Sequence, residues 1–272
     1  MKLPRNVSLG HQAPLTVQYR LPTARLPTAI ESLRILLVTD LHVGGRPHDS
    51  LSALDRLADA RPDLLIAAGD LVEHERYTSD VGERLARIDA RLGSFAVWGN
   101  HDALGKPQGQ VPSWLRDETR SLPNMEAVLA AHGIETLTNR SVRLSVNGAP
   151  LQIVGSGDTH LGLCDLDAAF ADADCRVFTI LAAHSPDTAF QLEAHRVDLT
   201  LSGHTHGGQI SIPFFGPPTL RTRHRLPQPS GLMYVRGRPL VVSAGVGTVG
   251  VPLRFNAPAD VVDLRLVRVG SH

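Results

Sequence analysis

A chain of 272 residues with 42% apolar content can bury a substantial core in one large domain or two small ones, which excludes a disordered polymer. Lys plus Arg equals Asp plus Glu at 27 each, so a nucleic-acid groove or a polybasic membrane patch is not expected as the main business. Cys164 and Cys175, the only cysteines, belong to no CxxC or spaced Cys/His set; a thiolate zinc site is excluded and two core-filling residues in a reducing compartment are expected.

Residues 1–33 are punctuated by Pro4, Pro14, Pro22 and Pro27 and read as an extended lead-in, with Leu15 to Tyr19 alternating as an edge strand. Met1 to Pro22 has no h-region, and no run approaches the ~18 apolar residues of a membrane span. A soluble, cytoplasmic chain is expected, with membrane association and an N-terminal anchor left open. From Ile35 a strand–helix rhythm begins. Ile35–Val38 is a buried strand, Leu51, Leu54, Leu57 and Ala58 recur at helical spacing, and Leu64–Ala67 is the next strand. Val81, Leu85, Ile88 and Leu92 make a second helical stripe before the strand Phe95–Trp98. Such alternation implies βαβ units on a largely parallel sheet. A polar loop over 103–121 carries Trp114, and a helix through Met125 and Leu129 ends at Gly133. Strands near Ile134–Leu137, Val142–Val146 and Leu151–Val154 read as an antiparallel, hairpin-rich interlude. Val177–Ala182, a helix opened by Ser185-Pro186-Asp187, and Val197–Leu201 restore the alternation. The tail holds strands at Leu232–Val235, Leu240–Val242 and Val261–Leu266. With no repeat or linker visible, residues 34–272 are expected to form a single domain.

Five strand ends carry the chemistry: Asp40-Leu41-His42, Gly69-Asp70, Gly99-Asn100-His101-Asp102, His184 and Gly203-His204-Thr205-His206. Five of the 13 histidines fall there. The donors are oxygen and imidazole nitrogen, without sulfur, a set that suits divalent Mn, Fe, Zn or Co. Seven ligands exceed one tetrahedral ion and fit two ions sharing a bridging carboxylate at about 3.5–4 Å. The i,i+2 spacing in the first and last blocks is expected to place both polar side chains on one face of an extended segment.

In that order, DxH, GD, GNHD, a lone His and GHTH resemble the calcineurin-like metallophosphoesterase superfamily, over about Ile35 to Val267. Ala183–Asp187, Ser202–Ile210 and Gly245–Pro258 (GVGTVGVPLRFNAP) are similar to a narrower bacterial branch, the YkuE/YaeI-type phosphodiesterases. The resemblance implies an α/β fold, a four-layer αββα sandwich of two packed mixed sheets flanked by helices. It implies one metal on Asp40, His42 and His206, Asp70 bridging, and a second on Asn100, His184 and His204. It implies attack on phosphorus by a metal-bridging hydroxide, with His101 protonating the leaving oxygen or stabilising the transition state. The residue that orients His101 stays open between Asp102, its neighbour, and Glu73, three residues after Asp70.

Arg221 and Arg223, in a basic run after Phe214-Phe215, are candidate substrate contacts, with a solvated loop as the alternative. Asp158 and His160 follow another strand end; a solvated loop is the favoured reading, and if the turn faces the cleft His160 is a further candidate substrate contact. The function expected is a phosphodiesterase acting on a small or lipid-linked phosphoester. Alternatives are pyrophosphate cleavage in a nucleotide-linked lipid such as UDP-diacylglucosamine, or a silent binding scaffold, disfavoured because every ligand position is filled. Oligomeric state stays open.

Overall fold

The computed structural model describes residues 7–9, 13–45, 50–103 and 122–270. The expected loop with Trp114 lies outside the described residues. In chain order the first half runs β1 (Val7–Leu9), β2 (Leu15–Thr23), β3 (Ser32–Val38), α1 (Ser50–Asp55), β4 (Leu64–Ala68), α2 (Thr78–Ala86) and β5 (Ser94–Val97). It continues through α3 (Asn100–Ala103), α4 (Leu122–Ala131), β6 (Ile134–Thr136), β7 (Arg140–Val146), β8 (Ala149–Gly155) and α5 (Leu166–Phe170). The last part is β9 (Phe178–Ala182), β10 (Leu199–Ser202), β11 (Gly231–Val235), β12 (Arg238–Val242), β13 (Leu253–Phe255) and β14 (Asp260–Arg268).

Alternation inside the apolar runs decides the layering. In a strand, successive side chains point to opposite faces. On β3, Leu36 and Val38 pack outward with Leu65, Ala67, Leu54, Leu85, Met125 and Leu129, so α1, α2 and α4 cover that face. Ile35 and Leu37 pack inward with Leu64, Ile66, Val97 and Leu264, against Ile153, Ile180, Leu201 and Val241 of a second sheet. The second sheet has its own outer clusters: Val154 and Leu181 lie on Ala169 of α5, and Leu240 and Val242 lie on Ala189 and Leu226. Both faces of each sheet are thus covered, and the result is the four-layer αββα sandwich that the resemblance implies.

The first sheet has the order β2-β14-β3-β4-β5-β6 and the second β11-β12-β10-β9-β8-β7, with a separate β1–β13 pair. Within the first, β3, β4, β5 and β6 are parallel, and β14 runs antiparallel to β3. Within the second, β8, β9, β10 and β12 are parallel. Leu15–Thr23, read as part of a lead-in, pairs with β14 along its whole length and forms the sheet's edge.

Three local expectations change. Ile134–Thr136 is no part of an antiparallel interlude. The chain leaves α4 through Gly133, whose φ is +77°, and returns parallel to β5 as a crossover strand. Only β7 and β8 form the hairpin, turning at Asn147-Gly148. The helix opened by Ser185 is a short 3-10 segment, Pro186–Phe190, although Ser185 does cap it by accepting from the Asp187 amide. Cys175 is exposed and Cys164 half-buried, so neither fills the core.

Leu264 is fully buried between the two sheets on a strand flanked by β2 and β3. Leu264→Ala is expected to lower the unfolding free energy by about 3 kcal/mol in a denaturant titration. A loss under about 1 kcal/mol would mean that the sheets close over the gap, and that this packing does not fix their spacing.

Candidate metal centre

All five polar blocks follow the C-terminal ends of parallel strands, three in the first sheet and two in the second. Because the sheets lie face to face, the blocks meet at one end of the sandwich. The backbone there is unusual. Asp40 (φ 51°), His42 (φ 48°), Asp70 (φ 51°), His204 (φ 69°) and His206 (φ 51°) all occupy the left-handed region. Non-glycine residues visit it rarely, and such outliers gather at functional sites. The extended i,i+2 segments expected from sequence are therefore sharp turns. Two glycines make room for them: a Cβ at Gly203 would strike Thr39 Oγ1 and Asp40 Oδ2, and one at Gly99 would strike Asp70 Oδ1.

Asp40, His42 and His184 are fully buried and Asp70, His204 and His206 nearly so. His42 Nε2 and His206 Nε2 face each other at 3.2 Å, with Asp40 Oδ1 at 3.3 Å from the latter. Asp70 Oδ2 lies 3.2 Å from His184 Nε2 and 3.6 Å from His42 Nε2, between the two halves of the site. His204 Nδ1 is 3.2 Å from His184 Nε2 and 3.0 Å from Asn100 Oδ1. Their outward nitrogens have acceptors. His42 Nδ1 meets Glu73 Oε1 at 2.6 Å, His184 Nδ1 meets the Ala68 carbonyl at 2.8 Å, and His204 Nε2 meets the Arg221 carbonyl at 3.1 Å. A ring nitrogen that donates outward leaves its other nitrogen as a lone pair, the arrangement typical of metal-ligating histidines. Inward lone pairs facing one another beside buried carboxylates are suited to cations. Asp40, His42 and His206 could hold one ion, Asp70, His184 and His204 another, and His42, Asp70 and His101 form an overlapping third group.

The charges follow the same logic. Burial pushes the Asp40 carboxyl up. Burial also works against Asp70, but the charges of His184 and His101 outweigh it and hold this carboxyl well below its ordinary range. His184, despite burial, is raised well above an ordinary imidazole by Asp70. His204 falls to about 4 through burial and the neighbouring His184, and His206 falls further through burial, His42 and Arg254. Asp70 thus draws its balance from the imidazoles of His184 and His101, and cations would serve the same carboxylates.

His101 Nδ1 lies 2.8 Å from Glu73 Oε1, which also faces His42 Nδ1. Burial depresses His101, yet Asp70 and then Glu73 raise it to about 9. Asp102, the other candidate to orient His101, turns its carboxylate elsewhere: its Oδ1 accepts from the amides of Leu71 and Val72 and its Oδ2 from Gly99. This carboxylate ties the β4 and β5 turns together, and burial raises it to about 6. Asp102→Asn should therefore lower stability by about 2 kcal/mol in a denaturant titration. Glu73→Gln should leave stability within about 1 kcal/mol and act on turnover; the reverse pattern would return Asp102 to the chemistry.

Arg221 lines the cavity beside His204 and His206, and His160 sits with its ring centre 5.5 Å from that of His204, so both reach the site. Arg223 is held by its backbone amide on Asp187 Oδ2, with its side chain exposed. Asp158, beside His160, is buried and takes the Leu161 amide on Oδ1; the favoured reading of a solvated loop fails for it.

Sequence reasoning missed Arg254. Its guanidinium is buried and donates to the carbonyls of His206, Ala257, Ala244, Gly245 and Gly247. It fastens three loops around His206, and burial lowers its pKa to about 10. The signal was present in GVGTVGVPLRFNAP, one arginine amid apolar and turn residues. Arg254→Lys reaches fewer carbonyls and should cost about 3 kcal/mol of stability by thermal or chemical unfolding. An unchanged midpoint would show that the loops hold without it.

The calcineurin-like phosphoesterase family model matches residues 33–208. Metallophosphoesterase YkuE of Bacillus subtilis is 26% identical over 90% of this chain and 83% of its own length. Phosphodiesterase YaeI of Escherichia coli is 28% identical, covering 86% and 82%. A Bos taurus transmembrane protein with metallophosphoesterase domain is 29% identical, covering 94% of this chain and 57% of its own length.

Proposed function

The chain belongs to the calcineurin-like phosphoesterase family, a family of divalent-metal phosphoric ester hydrolases, and on that premise we propose that it hydrolyses phosphodiesters with two ions held at the shared end of its sheets. The observation that carries the reading is the convergence of inward-facing imidazole nitrogens, at 3.2 Å spacings, on the buried Asp40 and Asp70 carboxylates. In this reading Asp40, His42 and His206 hold one ion, Asn100, His184 and His204 the other, and Asp70 bridges. When bound, such a pair lowers the pKa of an attacking water and neutralises charge on the phosphoryl oxygens.

The remaining work falls to the chain. Glu73 accepts from both His42 and His101 and so sets the angle of two rings with one carboxylate. Its Oε1 faces His101 Nδ1, which leaves Nε2 of that ring to carry a proton to the leaving oxygen. His101 is only 17% exposed at its side chain, enough for contact with a substrate entering from the cavity. Arg221, which lines the cavity, and His160, whose ring lies near that of His204, would meet the substrate's phosphoryl oxygens or its leaving group. The relative named phosphodiesterase YaeI favours the diester among phosphoric esters. A small or lipid-linked diester is the substrate class proposed. A silent scaffold is disfavoured by the completeness of the donor set.

The test is metal-stripped protein reloaded with Mn, Fe, Zn, Co or Mg singly and assayed on bis-p-nitrophenyl phosphate. Binding of about two ions per chain is expected, with diester hydrolysis that drops about 100-fold or more in Asn100→Ala and His184→Ala. Hydrolysis that survives stripping, or both substitutions, would overturn the assignment.

A further inference from the structure

The segment that leaves the candidate centre after His206 forms one wall of a cavity of about 290 Å³, lined among others by His204, Ile210, Arg221 and Val251. It turns at Ile212–Gly216, where the Ile212 amide donates to the Gly216 carbonyl at 2.9 Å and the Phe215 amide to the Ile212 carbonyl at 3.1 Å. At the tip Phe214 is 105% exposed and Phe215 87% exposed, with Ile212 at 46% beside them and Val251 at 47% on the opposite rim. A single exposed apolar residue is ordinary. Two adjacent, fully exposed phenylalanines are not, and Phe214 is moreover held at φ 68°, a conformation that bulky residues rarely take. The turn is stiffened by Pro213, Pro217 and Pro218.

Arg221, Arg223 and Arg225 follow on the same exposed segment, and among the described residues none of the three makes an ion pair. The chain as a whole carries no formal net charge, so attraction to an anionic surface has to be local. Two phenylalanine side chains bury about 150–250 Å² each. That is short of the ~800 Å² per partner that a stable protein interface needs. It matches shallow insertion of apolar anchors at the boundary of headgroups and acyl chains, with basic residues at headgroup level. The tip is also continuous with the site, because the Arg221 carbonyl accepts from His204 Nε2.

We propose that the Ile212–Gly216 turn docks this chain on an anionic lipid surface, with Phe214 and Phe215 as the inserted anchors and Arg221, Arg223 and Arg225 against the headgroups. The cavity mouth then opens at the headgroup plane, where a phosphoester carrying an acyl chain can enter. This last step rests on the phosphodiesterase reading; the docking does not.

The experiment is flotation of the full chain with vesicles of phosphatidylcholine alone, or with about 30% phosphatidylglycerol. Binding is measured for the unaltered chain, for Phe214→Ser/Phe215→Ser and for Arg225→Glu. Phe214→Trp serves as a fluorescence reporter. Binding to the anionic vesicles is expected, weakened by salt, with a fall of about tenfold in the double variant and a smaller fall in Arg225→Glu. The Phe214→Trp emission should shift to the blue on anionic vesicles alone. Soluble diester hydrolysis and the unfolding midpoint should be unchanged in the double variant, which separates failed docking from a failed active site. No binding to either vesicle, equal binding of the double variant, or a concentration-dependent dimer that the variant abolishes would each overturn the proposal.

Discussion

Two carboxylates, Asp40 and Asp70, are buried at the same end of the sandwich among the rings of His42, His184, His204 and His206. Isolated ionised groups in such a place are costly, and each must be met by hydrogen bonds, protons or cations. Asp40 takes the Thr39 hydroxyl and the His204 amide, and Asp70 takes the His101 amide. Those bonds come from three different strand ends. The carboxylates therefore do more than occupy the site: they draw the turns of both sheets onto one point. The strain of five left-handed residues persists because these bonds over-determine it.

Around that centre the scaffold fixes which nitrogen of each ring faces inward. The acceptors behind His42, His184 and His204 are a side chain, the last carbonyl of β4, and a loop carbonyl. His206 is the exception. Its Nδ1 lies 3.4 Å from the Arg254 guanidinium, which offers no acceptor. That ring is positioned through its own backbone carbonyl, which Arg254 grips, and the adjacent positive charge disfavours a proton on it. A cation beside a proposed cation site looks contradictory until the five carbonyls are counted. Their dipoles spread the guanidinium charge and keep it turned toward the loops.

The strands, their alternation with helices and the five polar blocks were legible because they are local patterns, whereas the four layers came from the family resemblance. An apolar run with alternating in and out residues declares a strand, and a polar word after it declares the strand's end. What failed was whatever depends on space rather than order. Ile134–Thr136 has the same local pattern as the hairpin strands, and only the crossover from α4 assigns it to the other sheet. Asp102 is adjacent to His101 in sequence, but the turn that follows β5 aims its carboxylate back at β4 amides, and Glu73 arrives from another loop. The i,i+2 rule presumes extended backbone, and the left-handed φ of Asp40, His42, His204 and His206 removes it. Arg254 announces no partner in the sequence, since apart from the ring of His206 it bonds to backbone carbonyls, which no side-chain pattern advertises.

The stretch from His204 to Arg225 unites these themes, because it is anchored at both ends and free in the middle. Arg254 holds the His206 carbonyl, Gln209 bonds to the carbonyls of Val249 and Val251, and Asn256 bonds to Ser211. At the far end Asp187 accepts from the amides of Arg223 and His224 and faces the ring of His224, which stacks on Phe190. Between those anchors the Ile212–Gly216 turn has its own backbone bonds. The exposure of Phe214 and Phe215 is thus built into a braced frame and does not come from looseness of the segment. A braced apolar tip loses less conformational entropy on docking than a floppy one, so the same area yields more binding. The bracing that keeps His204 and His206 aimed at the centre is the bracing that keeps the two aromatic rings in water.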